Sequence, residues 1–246
     1  MSIDFYVEEV RSQIKTIHAE CTSTIQTMEA IQKALSAIII EPSLKSKTYD
    51  SMKVYFNTAY MPVTKGFILV CETMMESNQT FLDRYLNEVD VNSLQESVLE
   101  ARITQYNRLT ELLESLDDPT KLTEKMVDNI EEMRQHTTEK LQSLQEYDYF
   151  SIQIFDEVNN QLTTLETGVN FLSEGKAWNQ ATGTFSTTGL DLTWAGKLEK
   201  DWKKQKTRKK ELMKKQTKKS PTMLSLSAMI QCQKPLHGHW KKMVLR

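Results

Sequence analysis

The side chains able to do chemistry are few and scattered. Cys232, His237 and His239 stand closest to a metal-ligand group, but two histidines one residue apart with a single thiol do not complete a tetrahedral zinc set. His18 and His136 fall in separate helical segments with no serine or cysteine nucleophile in a shared motif, and the many carboxylates read as helix-surface charge. Neither a G-x-G-x-x-G run nor a G-K-[ST] phosphate loop is present. The three cysteines, Cys21, Cys71 and Cys232, are isolated and lack a C-x-x-C pair, which argues against disulfides and zinc ribbons. Cys21 and Cys71 lie on apolar faces, where a thiol behaves as a small hydrophobe. The expectation is a protein that is not an enzyme and carries no cofactor and no metal.

Charge is the next possible chemistry. The formal net charge of -2 conceals an asymmetry: residues 1–196 hold 15 Lys+Arg and 30 Asp+Glu, and residues 197–246 hold 16 and 3. Between 197 and 219, twelve basic residues face three acids, enough to neutralise several phosphates of a nucleic acid or an anionic membrane. The run lacks interleaved aromatics and any reader motif, so it is read as a solvated linker helix with no nucleic-acid partner. The longest apolar run, Phe67 to Cys71, is five residues, far below the roughly 20 that span a bilayer. No stable membrane insertion is expected. The N-terminus MSIDFYVEEVRSQ has acids where a secretory signal peptide carries basic residues, and it lacks an apolar core.

The elements that would position these groups are helices. Gly66 is the sole glycine before Gly168, too little punctuation for a fold of strands and turns. Positions Ile3, Val7, Val10, Ile14, Ile17, Cys21, Thr24, Met28, Ile31, Leu35 and Ile38 alternate spacings of three and four, with only Thr24 breaking the apolar stripe, which predicts a long helix packed against a partner. Pro42 ends it. A second helix carries Met52, Phe56, Ala59, Val63, Phe67, Val70, Met74, Phe81 and Tyr85 on one face, with a kink or short break expected at Pro62. Ser93 and Glu96 have the spacing of a capping box for a third helix through Leu99, Ile103, Tyr106, Leu113 and Leu116. Asp118 and Pro119 in "DDPT" mark the start of a fourth, through Leu122 to Leu144. A fifth runs from about Tyr149 to Glu174, where Gly175 is placed to end it. Residues 176–190 read as a loop or small hairpin, followed by a helix that begins near Trp194 and Trp202 and dissolves into lysine. The fold class is all-α: an elongated helical hairpin or antiparallel long-helix bundle, with a short C-terminal loop and a basic helix.

The stretch "SLKSKTYDSMKVYF", residues 43–56, sits at the tip of the first hairpin. It resembles the name motif of the LXG domain, the N-terminal region of polymorphic toxins exported by type VII secretion in Gram-positive bacteria. Leu44 matches the leucine of Leu-x-Gly, Ser46 stands at the glycine, and Thr48, Tyr49, Asp50, Ser51 and Lys53 match the run that follows. Serine at the glycine position implies a turn that needs no positive φ there. "NQTFLDRYLNEVDVNSLQESVLEARI", "EYDYFSIQIFDEV" and "ATGTFSTTGLDLTWAGKLEKDW" are similar to later segments of the family, so the likeness spans about residues 1–205 in order.

The resemblance implies a targeting domain that pairs with small WXG-like helical-hairpin proteins and presents a composite surface to the type VII machinery. The implied location is outside the cell, reached by the type VII pathway without a signal peptide after synthesis in the cytoplasm. The partner surface is expected on the first helix, the turn at Leu44 and Ser46, and Tyr49, Asp50, Tyr55, Phe56 and Tyr60, with Trp194 and Trp202 in a closing motif. Each of these aromatics has an intramolecular core role as its alternative. Phe5 and Glu9 match an aromatic-x-x-x-acid export pattern at the wrong end of the chain, which places the export signal on a partner instead. The expected organisation is a helical targeting domain over 1–175, a Gly/Thr loop and closing tryptophan segment of the same domain over 176–205, and a basic linker and tail over 206–246. Some 40 residues beyond the likeness are too few for a toxin domain without disulfides or metal, and a truncation or frameshift after roughly residue 215 would account for the loss of pattern. Two alternatives are a structural coiled-coil or adaptor protein that self-associates through the same stripes, and an intact toxin acting through its basic tail.

Overall fold

The structure, a computed structural model, describes residues 2–116 and 121–219. The expected boundary at Asp118 and Pro119 lies outside the described residues, as do Cys232, His237 and His239. Helix accounts for about four-fifths of the described residues, with five long helices and strands of two residues each. The fold is all-α. The chain divides into two compact units, Met1–Glu199 and Lys200–Arg246.

In the first unit, α1 runs Val7–Ile40. Its end follows from Pro42: the residue before a proline is pushed out of the helical region, and Glu41 is extended at φ -65°, ψ 113°. The chain turns and re-enters helix as α2, Lys47–Tyr55, which passes through a π-helical turn, Phe56–Tyr60, into α3, Met61–Glu88. The expected break at Pro62 is therefore absent. Pro62 has no N–H for the Thr58 carbonyl and its ring would crowd that carbonyl; the backbone relieves both by widening one turn to i→i+5 bonding. Met61, directly before the proline, stays helical at φ -60°, ψ -45°.

α3 is the spine. It packs on α1, on α6 (Asp156–Ser173) and on part of α5 (Lys121–Ser151). Between α5 and α6 the chain tightens into a short 3-10 turn, Ile152–Phe155. α4, Glu96–Glu114, pairs with α5 as a second hairpin. Beyond α6, Gly175 takes φ +62° and ends that helix as its position predicts. A two-stranded hairpin follows, with β3 (Trp178–Asn179) antiparallel to β4 (Thr184–Phe185). α7, Thr193–Lys219, begins in the first unit.

Two apolar clusters share α3. One joins Tyr55, Val63, Val70, Val158, Leu165, Trp194 and Leu198. The other joins Phe5, Val7, Ile14, Leu82, Tyr85, Leu99, Leu144 and Tyr147. In the second, the Phe5 ring stacks on Tyr85 at 3.6 Å between centroids and meets Tyr147 edge-on at 5.8 Å. The Tyr85 hydroxyl donates to the Asn92 carbonyl, 2.9 Å, so this fully buried phenol keeps its polar end satisfied.

The N-terminus is fastened to the start of α4. β1 (Asp4–Phe5) pairs antiparallel with β2 (Leu94–Gln95). Ser93 and Glu96 do not form the capping box their spacing suggests. The Ser93 hydroxyl accepts from the Val7 N–H, 3.0 Å, and so caps α1, while the Glu96 carboxylate accepts from the Ile3 N–H, 2.9 Å. Both side chains are the expected pair of acceptors, spent on backbone amides of a distant segment instead of their own helix.

Candidate functional site

The turn between α1 and α2 is built from the residues of the name-motif likeness. Ser46 is extended at φ -171°, ψ 164°, and its hydroxyl accepts from the Tyr49 N–H at 3.1 Å as the N-cap of α2. No glycine is needed at this position because the backbone is not left-handed. Lys53 reaches back and donates to the carbonyls of Glu41 (2.6 Å) and Leu44 (3.1 Å), satisfying acceptors that the end of α1 leaves free. Hydrogen bonds from the Ser43 hydroxyl and N–H, helped by the Lys53 charge, hold the Glu41 carboxyl below its ordinary pKa.

Thr48 and Ser51 fasten the tip to the C-terminal hairpin. The Thr48 hydroxyl donates to the Gly183 carbonyl, 2.7 Å; Ser51 accepts from the Phe185 N–H, 3.0 Å, and donates to the Thr48 carbonyl, 2.8 Å. Tyr55 then stacks on Phe185 at 5.1 Å and 10°. It is buried, and burial followed by the neighbouring Tyr60 raises its phenol above the usual tyrosine value. Phe56 and Tyr60 are half-buried and pack edge to face at 5.2 Å. Of the aromatics expected at a partner surface, Tyr55 thus belongs to the core, Phe56 and Tyr60 flank it, and Tyr49 is exposed beside Asp50. Leu44 is half-buried.

Trp194 lies in the core, against Gly168 and 5.5 Å from Phe171. A Cβ on Gly168 would stand 2.7 Å from the indole ring, so only glycine admits this contact. Trp202 belongs to the second unit, where the Lys206 ammonium sits 4.4 Å from its ring centroid.

The first helix has the bareness a docking face requires. Along α1 only Val7, Ile14 and Leu35 are buried. Ile17 and Ile31, read from spacing as part of a covered stripe, remain 37% and 39% exposed, and Ile40 at the turn is 77% exposed. Val54 on α2 is exposed as well. Elsewhere on α1, an open groove between α1 and α3 is lined by Glu29, Lys33, Ala37, Ile40, Met61 and Lys65. Neither Ile17 nor Ile31 carries a sequence signal of exposure, because a 3.5-residue period marks a stripe without counting its neighbours.

Phe5 is buried in the second cluster and its backbone is locked in β1, so the Phe5/Glu9 pair is not displayed as a peptide signal. His18 sits at the edge of the α1–α3 seam, its Nε2 3.1 Å from the Met75 carbonyl, and His136 is exposed on α5. Among the described residues no group of three or more His, Cys, Asp and Glu side chains could hold a metal ion, and no helix is long and apolar enough to cross a membrane.

A family profile described as "LXG domain of WXG superfamily" matches residues 4–183, most of the chain. The chain belongs to the LXG-domain family. The match runs from β1 to the Gly183 that receives Thr48, so it takes in both ends of that hydrogen bond; Phe185, Trp194 and Trp202 lie beyond it. The LXG chain is also 27% identical over 201 residues to a protein of Bacillus cereus strain ATCC 14579 named "Toxin", covering 81% of this chain and 37% of that relative. It therefore spans little more than a third of the relative's length.

Proposed function

We propose that this LXG domain is the export-targeting and partner-binding region of a toxin secreted by the type VII pathway, synthesised in the cytoplasm and delivered outside the cell. Its partners in this reading are small WXG-like helical-hairpin proteins, with which it presents a joint surface to the secretion machinery. The residues over 4–183 recognise and are recognised; catalysis belongs to another part of the toxin. Residues up to about 205 act as one targeting unit, with the basic segment after it as a linker.

The observation that carries this reading is the imbalance of α1, a 34-residue amphipathic helix with three buried residues. A helix that long, packed chiefly on one neighbour, keeps an apolar flank that a two-helix partner can cover as a helix-in-groove contact. Ile17 and Ile31 supply the anchors along α1, and the exposed Ile40, Tyr49, Asp50 and Val54 extend the contact to the turn.

Co-expression with the small helical-hairpin proteins encoded beside the gene, followed by size-exclusion chromatography, tests it. A stable complex is expected, and Ile31→Glu should weaken it by about tenfold or more while leaving the isolated chain folded. A chain that ignores those proteins and runs alone as a monodisperse homo-oligomer would instead establish the self-associating coiled-coil alternative.

A further inference from the structure

The two cysteines that look isolated in the sequence meet in the fold. Cys21 lies on α1 and Cys71 on α3, 50 residues apart in the chain, and the helices run antiparallel. Their register is set by the His18 contact with the Met75 carbonyl at one end and by the groove that brings Glu29 and Lys33 to Lys65 and Met61 at the other. Between those points, one turn along from His18 and one turn back from Met75, Cys21 and Cys71 face each other across the seam. The Cys21 thiol is close enough to perturb that of Cys71, both thiols are free, and both residues are half-buried, so a small reagent can reach them.

We propose that Cys21 and Cys71 form a reactive dithiol, oxidised to an intramolecular cystine by a low-molecular-weight disulfide, and that this bond staples α1 to α3. The reaction is two successive thiol–disulfide exchanges. The Cys21 thiolate attacks one sulfur of the small disulfide; that S–S bond breaks, a mixed disulfide forms on Cys21, and the first small thiolate departs. The Cys71 thiolate then attacks the Cys21 sulfur and expels the second. The two protons lost from the cysteines end on the two released thiols, so the protein is oxidised by two electrons and the reagent is reduced by two.

The order follows from the surroundings of each sulfur. Burial, followed by the facing Cys21 and the nearby Glu72, pushes the Cys71 thiol up to about 12. The thiolate is the nucleophile, so Cys71 is the poorer opener and enters as the resolving thiol, with its target already held against it. A bond between residues so far apart in sequence restricts the unfolded chain strongly. It also acts on the helix that has the least burial of its own.

The test uses the full chain carrying Cys232→Ser, folded and incubated with oxidised glutathione. The expected product is a monomer two hydrogens lighter, whose non-reduced peptide map links Cys21 to Cys71. Its melting midpoint should lie about 10 °C above that of the reduced chain. With Cys71→Ser added, the product should be a single glutathione adduct on Cys21. Two glutathione adducts on the parent chain, disulfide-linked dimers, or a cystine that forms only in denaturant would overturn the proposal. Because the parent is compared with itself before and after oxidation, the result does not depend on the serine variant folding.

Discussion

α1 and α3 lie side by side and carry similar apolar stripes, yet they end in different states. α3, 28 residues long, buries twelve, from Pro62 to Tyr85; α1, six residues longer, buries three. What separates them is the number of neighbours. α3 is met by α1, by α6 and at its C-terminal end by α5, whereas α1 packs chiefly on α3. A stripe of apolar residues states that a helix wants cover, and topology decides how much it receives within one chain. The difference teaches that the spine holds the domain together and the flanking helix keeps surface in reserve.

The comparison breaks first if the spine is not a spine. Tyr85→Ala removes a fully buried ring stacked on Phe5 and should destabilise the domain by about 3–5 kcal/mol in urea denaturation. A loss under about 1 kcal/mol would mean that the second cluster does not depend on α3. Gly168→Ala drives a methyl into the Trp194 ring and should cost about 1–3 kcal/mol, read as a shift of the denaturation midpoint. No shift would mean that the indole moves freely. Ser93→Ala takes away the cap of α1 from 86 residues away and should cost about 1 kcal/mol. Ser93→Asp should retain the cap, and a loss as large as that for alanine would contradict the hydrogen bond.

The smallest effect is expected at acid pH. Burial alone would raise the Asp90 pKa, but the Lys140 ammonium and the Asn92 side chain and N–H outweigh it, leaving the carboxyl below its ordinary value. A carboxylate with a lowered folded pKa contributes stability above its unfolded value, near pH 4, and that stability is lost as pH falls through the folded value. Urea midpoints should decline below about pH 4 less steeply in Asp90→Asn than in the parent. Parallel declines would remove Asp90 from the acid response.

Much of this was legible in the sequence. The 3.5-residue period marks α1 and the second hairpin, Pro42 marks the turn, and Gly175 marks the end of α6, because each depends on residues within a few positions of itself. The errors lie where distant segments compete for the same group. Ser93 and Glu96 have the spacing of a local capping box, but Val7 and Ile3 arrive from the N-terminus with unpaired amides and take both acceptors. Pro62 predicts a break, yet burial on both sides of it favours a π-helical turn that keeps the helix running. At the candidate site, the motif residues were recognisable as a set but their directions were not. Thr48, Ser51 and Tyr55 turn inward to the C-terminal hairpin, and Tyr49 and Asp50 remain outside. Cys21 and Cys71 could be paired only once the register of α1 on α3 was known.

Backbone hydrogen exchange on the full chain, alone and with a small helical-hairpin protein encoded beside its gene, tests the docking face most directly. Amides of α1 between about residues 14 and 40 should slow by about tenfold or more in the mixture, while those of α3, already covered, stay unchanged. Exchange in α1 that does not respond, or protection that appears on α4 and α5 instead, would contradict it.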